Sequence, residues 1–258
     1  MPTSIAPDLQ GKRVLVTGAS TGIGAAAAAA FAAAGSRVAV HYNASEAEAK
    51  KVAAKIALDG GEAHLVRGDV RKSSNARRVV DEAADKLGGL DILVNNAGGL
   101  VKRVPVAEID DAIFDEIVNL NVRSLVSACS AAVPHMRRAK RGNIINVTSI
   151  AARVGGGPGA ALYASSKAFV STFTRGLARE LAGDNIRVNA VSPGVILTPF
   201  HERYSTPQLL ESMRATVPMA RLGEADECAG TFLYLASDAL SGYVTGQIVE
   251  VNGGQLMP

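Results

Sequence analysis

Short runs of uninterrupted apolar residues alternate with longer helix-like stretches along the whole chain, and no other feature narrows the fold as far. Val14-Leu15-Val16 and Ile92-Leu93-Val94 are apolar at every position, which suits strands whose two faces are both covered by helices. The pattern predicts strands over residues 13–17, 37–41, 63–67, 91–95, 143–148, 187–191 and 247–251. Helical patterns fill the gaps, over 22–34, 45–59, 73–87, 162–182 and 226–237, with two further helices within 106–138. Strands and helices that alternate in this way form a doubly wound parallel α/β sheet, here of about seven strands with helices on both faces. The 258 residues suit one domain, since single α/β domains commonly run to about 200–250 residues.

Residues 25–34 are alanine except for Phe31, and alanine both favours helix and lets a helix lie close to a sheet. The least regular piece is 195–222, which holds Pro199, Pro207 and Pro218 and is long enough for a flap over a substrate. Hydrophobic residues make up 48% and charged residues 20%, proportions of a folded globular protein rather than a disordered one. The net charge of +3 has no long basic block behind it; the densest cluster, Arg137-Arg138-Ala139-Lys140-Arg141, reads as the solvated end of a helix, and nucleic-acid binding is not expected. No apolar run reaches the ~18 residues of a membrane span, and no basic segment followed by an apolar core opens the chain, so a cytoplasmic location is expected. Cys129 and Cys228 are far apart and His41, His64, His135 and His201 are scattered, so buried thiols are expected and no metal site.

The first strand runs into Thr17-Gly18-Ala19-Ser20-Thr21-Gly22-Ile23-Gly24. A strand, a glycine turn and a helix N-terminus together bind phosphate, because unpaired amides and the helix dipole both favour negative charge. Gly18 turns the chain, Gly22 lets a pyrophosphate approach the backbone, and Gly24 lets helix and strand meet. In the second half, Tyr163 and Lys167 lie four residues apart on one helix face. Bringing a phenol from a pKa of about 10 to about 7 takes roughly 4 kcal/mol, and an ammonium about 4 Å away supplies that amount at an effective dielectric near 20. Lys167 is thus expected to make Tyr163 a general acid and base.

These motifs, with Asn95-Asn96-Ala97-Gly98 and Pro193-Gly194 in that order, resemble the short-chain dehydrogenases/reductases, and the resemblance runs from Lys12 to Gly254. It implies a Rossmann-type fold in which a hydride passes between a nicotinamide and a substrate carbon. Tyr163 matches the family's proton donor, and Lys167 the lysine that tunes it and holds the nicotinamide ribose. Ser149 matches the serine that polarises the substrate oxygen, with Thr148 as a lesser candidate. The stretch from Ser149 to Tyr163 is about one residue longer than in close relatives, with Gly155-Gly156-Gly157 as the place of the extra residue. Asn121, preferred over Asn119, matches the asparagine that positions a water for proton relay.

The resemblance further implies cofactor contacts from Gly18, Ser20, Thr21, Gly22, Ile23 and Gly24, from Asp69 and Val70 at the adenine, and from Asn95, Ala97 and Gly98 along the adenosine side. Pro193, Gly194, Ile196 and Thr198 match the segment touching the carboxamide. After the second strand, Tyr42, Asn43, Ala44 and Ser45 stand where NAD-using members place a carboxylate. Neutral donors there resemble NADP users, so NADP(H) is expected, with NAD(H) the alternative, although Thr21 stands where many NADP users carry arginine or lysine. The substrate is expected to be a small-molecule ketone or alcohol. Leu197, Phe200, Tyr204, Leu209, Leu210 and Met213 are expected to give the flap an apolar and aromatic lining. A 3-oxoacyl thioester on a carrier protein is the alternative, favoured by Lys140 and Arg141 and disfavoured by Asp184. A homotetramer is implied, and an idle nucleotide-binding sensor or scaffold is the rival from another class.

Overall fold

A computed structural model describes residues 6–258. The chain alternates β1 (Arg13–Val16), α1 (Gly22–Ala33), β2 (Arg37–Tyr42), α2 (Glu46–Leu58), β3 (Glu62–Arg67), α3 (Ser73–Leu87) and β4 (Ile92–Asn95). It continues through α4 (Asp111–Val118), a π-helical stretch (Asn119–Arg123), α5 (Ser124–Ala139), β5 (Gly142–Val147), α6 (Ala151–Val154), α7 (Ala161–Leu181) and β6 (Ile186–Pro193). The last part comprises β7 (Ile196–Leu197), α8 (Pro199–Tyr204), α9 (Pro207–Arg214), β8 (Gly223–Glu224), α10 (Ala225–Ala236), α11 (Asp238–Ser241) and β9 (Ile248–Val251).

The main sheet has seven strands in the order β3-β2-β1-β4-β5-β6-β9, all parallel. Both faces are apolar because successive strand residues feed opposite layers. Leu15 and Leu93 pack toward α3 and α5, while Val14, Val16, Ile92 and Val94 pack toward α1 and α10. The alanine-rich α1 lies close enough to the sheet that Ala27, Ala28 and Phe31 are all fully buried. Phe31 and Phe232 each contribute on the order of 1.5–3 kcal/mol by leaving water.

The seven strands expected from the sequence are all present, with ends that move by at most two residues. The segment 195–222, the least regular by sequence, holds β7 and two helices, and β7 pairs with β8 just beyond it. Two of its three prolines start helices. Pro199 and Pro207 occupy first helical positions behind Thr198 and Thr206, where the missing N–H costs nothing.

After β3 the chain crosses back over the sheet and lays β4 on the other side of β1. The two halves therefore diverge between β1 and β4, which opens a crevice at the carboxyl ends of the strands. The glycine turn, Asn96–Gly98, Ser149 and Gly194 all follow strand ends at that crevice.

Candidate active site

Three neighbours hold the glycine turn after β1. Thr17 Oγ donates to the Val94 carbonyl at 3.1 Å and accepts from the amides of Asn96 and Ala97, each at 3.0 Å. Asn96 Nδ2 donates to the carbonyls of Thr17 and Gly18, both at 2.9 Å. The Gly18 amide donates to His41 Nδ1 at 3.0 Å, so the ring proton sits on Nε2, which donates to the Gly68 carbonyl at 2.9 Å. Gly22 has φ +56°, and a Cβ there would lie 3.2 Å from Thr198. A Cβ on Gly24 would overlap the Gly18 carbonyl and the Asn96 amide.

Thr21, the N-cap of α1, spends no side-chain bond on capping, and the first helical bond runs from Ala25 to Thr21. The amides ahead of it have no intrahelical partner and face the crevice, as an anion site requires.

His41 is buried, and burial lowers its pKa from the ordinary 6.5. A buried neutral histidine contributes stability that is complete above the unfolded value and lost as pH falls below it, because the unfolded chain then binds the proton first. Melting temperature should therefore drop between pH of about 6.5 and 5 in the parent and less steeply in His41→Gln, which keeps an acceptor and a donor without titrating. Parallel slopes in the two proteins would refute this role for His41.

On the other side of the crevice, α7 carries Tyr163 and Lys167 one turn apart. Lys167 is buried, and its Nζ donates to the Val147 carbonyl at 2.9 Å. Ser149 follows β5, and its hydroxyl, which accepts from Ala151 N at 3.2 Å, stands near enough to the Tyr163 phenol to lower the phenol's pKa. Thr148 points away: its buried hydroxyl donates to the Lys167 carbonyl and meets Ser171, both at 2.8 Å. The π-helical stretch turns Asn121 inward, where Oδ1 accepts from Gly99 N at 3.0 Å and Nδ2 donates to the carbonyls of Gly99 and Ile117 at 2.9 Å. Single π turns of this kind recur at functional sites. A Cβ on Gly98 would lie 2.9 Å from both Asn121 Oδ1 and Lys167 Nζ, so that glycine lets the two groups converge. Asn119 instead accepts from Arg123 at 2.5 Å on the exposed side.

The electrostatic expectation for the pair needs correcting. Burial pushes Tyr163 up to about 12, opposed only by the Ser149 hydroxyl, and pushes Lys167 down to about 8. Lys167 Nζ lies 5.9 Å from the phenol ring centre, and its hydrogen bond goes to a carbonyl. Desolvation outweighs the ammonium charge, so Tyr163 holds its proton at neutral pH.

A cavity of about 470 Å³ joins the two sides. Gly18, Thr21, Gly22, Ile23, Gly98, Ser149, Tyr163, Lys167, Pro193, Gly194, Ile196 and Thr198 all line it. Of the residues expected along the adenosine side, only Gly98 lines it. Asn43, Ala44 and Ser45 are exposed past β2, and the Asp69 carboxylate grips Arg71 at 2.7 and 2.9 Å. Tyr42 and Val70 bury their side chains in the two core layers, leaving only backbone for a ligand.

Asn95 also needs correcting. Its buried amide donates to Asn146 and to Cys129, away from the crevice, and the neighbouring Asn96 lines the cavity in its place. Side-chain direction alternates along an extended chain, and the motif alone does not show which asparagine faces the ligand. Among the flap residues, Phe200, Leu209 and Met213 line the cavity, whereas Leu197, Tyr204 and Leu210 do not.

Sequence reasoning missed Arg103, His201 and Gln255, which line the cavity without belonging to a motif. Gln255 Nε2 donates to Thr216 Oγ at 2.7 Å, and Thr216 in turn donates to the Met213 carbonyl at 2.7 Å. Gln255 Oε1 is thereby directed elsewhere; it is buried and unpaired, beside Gly194. An acceptor in that place fits the amide N–H groups of a nicotinamide, and the open amides at α1 fit its diphosphate.

Residues 18–255 match a family described as enoyl-(acyl carrier protein) reductase. A 3-oxoacyl-[acyl-carrier-protein] reductase from Synechocystis sp. is 38% identical over 94% of this chain and 96% of its own. This chain belongs to the short-chain dehydrogenases/reductases. A probable galactose dehydrogenase from Rhizobium meliloti is another relative, 38% identical over 98% of each chain. Among solved structures, the NADH-dependent reductase A1-R' complexed with NAD matches with a TM-score of 0.88 and 37% identity, covering 98% of this chain and 99% of the other. A short-chain dehydrogenase from Burkholderia cenocepacia in complex with NADP also scores 0.88, at 34% identity over 96% of this chain and 98% of its own. Like its relatives, this short-chain dehydrogenase/reductase is an oxidoreductase acting between CH–OH and C=O groups with a nicotinamide cofactor. Among the described residues, no helix is long and apolar enough to cross a membrane.

Proposed function

We propose that the protein reduces a carbonyl compound with NADPH, and that Tyr163 donates the proton. The observation that carries this reading is the meeting of Ser149, Tyr163 and Lys167 at one end of a cavity whose other end is the uncapped glycine turn. The whole chain acts as one dinucleotide-binding and catalytic domain, with 195–222 as its substrate flap.

Bound here, a reduced nicotinamide supplies a hydride. Gly18 to Gly24 hold the diphosphate, and Pro193, Gly194, Ile196 and Thr198 hold the carboxamide end. Ser149 donates to the substrate oxygen and keeps it beside the phenol. Tyr163, protonated at neutral pH, gives its proton to that oxygen as negative charge develops there. The phenolate left behind lies close to the Lys167 ammonium, worth on the order of 3 kcal/mol at about 6 Å and an effective dielectric near 20. Asn121, held by Gly99 and Ile117, positions a water that returns a proton through Lys167.

NADPH is favoured over NADH at the end of β2. Glu46, the next residue after Ser45, is tied to Lys50 at 2.7 Å. Arg67, which pairs with Tyr42 in the sheet register, is exposed and forms no ion pair among the described residues, yet its charge reaches Glu46. Asn43, Ser45 and Arg67 together suit a 2'-phosphate. Arg67→Ala should weaken NADPH binding on the order of tenfold and leave NADH unchanged in a fluorescence titration. An equal effect on both nucleotides would remove Arg67 from this role.

A homotetramer in the cytoplasm is the assembly proposed. Phe169, stacked on Phe173 along α7, is 41% exposed, and Tyr243 is fully exposed, as residues awaiting a second copy would be. The 3-oxoacyl-[acyl-carrier-protein] reductases among the relatives support a second reading, a carrier-bound thioester as substrate. The deciding experiment is a panel of ketones, aldehydes, sugars and a 3-oxoacyl thioester, each with NADPH and NADH. Nucleotide oxidation with at least one carbonyl compound is expected, and none with any would refute the proposal.

A further inference from the structure

The cavity walls carry two cationic side chains and no carboxylate. Lys167 belongs to the reacting end. Arg103 stands in the loop after β4, and nothing in the chemistry above uses it. Its Nε donates to the Tyr204 carbonyl and its Nη1 to the Pro158 carbonyl, each at 3.0 Å. Both partners are neutral, no acidic residue pairs with it among the described residues, and its Nη2 keeps free donors. The two carbonyls belong to separate elements, α8 and the loop before α7, so the guanidinium is held in a fixed direction.

His201 shares this end of the cavity. It is buried, its Nδ1 meets Ser205 Oγ at 2.9 Å, and its other ring nitrogen has no protein partner. The Arg103 charge is felt at its ring. Phe200 separates this end from the reacting end: its ring lies 6.0 Å from Tyr163 and 5.0 Å from Tyr204. A guanidinium left without a counter-charge inside a ligand cavity favours an anion from the ligand, and a planar fork held by two bonds is pre-organised for one.

We propose that the substrate carries an anionic group, a carboxylate or a phosphate, several bonds from its carbonyl, and that Arg103, with His201 beside it, binds that group while the chain between lies along Phe200. This rests on the carbonyl-reductase reading and adds the substrate's charge and shape to it. Bonding α8 to the loop before α7 also gives Arg103 a structural part, so the test reads a ratio that loosening of those elements does not change. Oxo acids of graded length are compared with their neutral amides and with matched oxo phosphate esters, using NADPH and the full chain.

The expected result is a kcat/KM about 10- to 100-fold higher for the anion than for its amide, greatest at one chain length. In Arg103→Gln the ratio should fall to about one, while Arg103→Lys retains part of it. The better of the carboxylate and phosphate series identifies the group. Equal rates for acid and amide in the parent, or an Arg103→Gln variant that slows both alike, would overturn the proposal and leave the reductase reading standing. If no compound is reduced, that reading fails, and calorimetric titration of the same acids and amides into the NADPH-loaded protein decides this one, with equal binding counting against it.

Discussion

Tyr163→Phe is expected to lose about 10² to 10⁴ in kcat/KM while binding NADPH as the parent does. The substitution removes one oxygen and leaves the ring where it is, 6.0 Å from Phe200. The hydroxyl it deletes stands near Ser149 and, raised to about 12 by burial, keeps its proton at neutral pH. The loss should therefore appear in kcat and in single-turnover rates more than in KM, as for a group that acts in the transition state. A variant within a few-fold of the parent would mean that the proton comes from elsewhere.

Gly24→Ala should abolish nucleotide binding and lower the melting temperature. The added methyl would overlap the Gly18 carbonyl and Asn96 Nδ2, and neither is free to yield. Asn96 is held by two bonds of 2.9 Å, and the Gly18 amide by His41. Overpacking of this kind costs about 1–3 kcal/mol, and relief by moving Gly18 re-aims the turn that holds the phosphates. Gly176→Ala is the control, because that helical position has nothing within 4 Å of a new Cβ; it should be neutral or slightly stabilising. Calorimetric titration and thermal melting read both effects, and a Gly24→Ala variant that binds nucleotide normally would contradict this account of the turn.

The architecture was legible because buried parallel strands have to be apolar on both faces, and runs such as Val14–Val16 announce that without help from the rest of the chain. Tyr163 and Lys167 were legible because four residues make one helical turn. Depth was not legible. Spacing placed an ammonium beside a phenol but did not show that burial would raise one pKa and lower the other. Nor did it show that Asn95 turns into the core while Asn96 faces the crevice. The stretch 195–222 read as irregular because the sequence does not reveal that Pro199 and Pro207 fall at first helical positions. Arg103, His201 and Gln255 reach the cavity from three separate segments, and only tertiary structure brings such residues together.

The central claim is that one cleft passes a hydride to a carbonyl carbon while Tyr163 protonates the oxygen. Turnover of a carbonyl compound with NADPH deuterated at the transferring position of C4 tests it most directly. The account predicts a product alcohol with one deuterium on the former carbonyl carbon, formed by the parent and reduced in Tyr163→Phe to a small fraction of the parental rate. Deuterium found elsewhere in the product, or formed as fast by the phenylalanine variant, would contradict it.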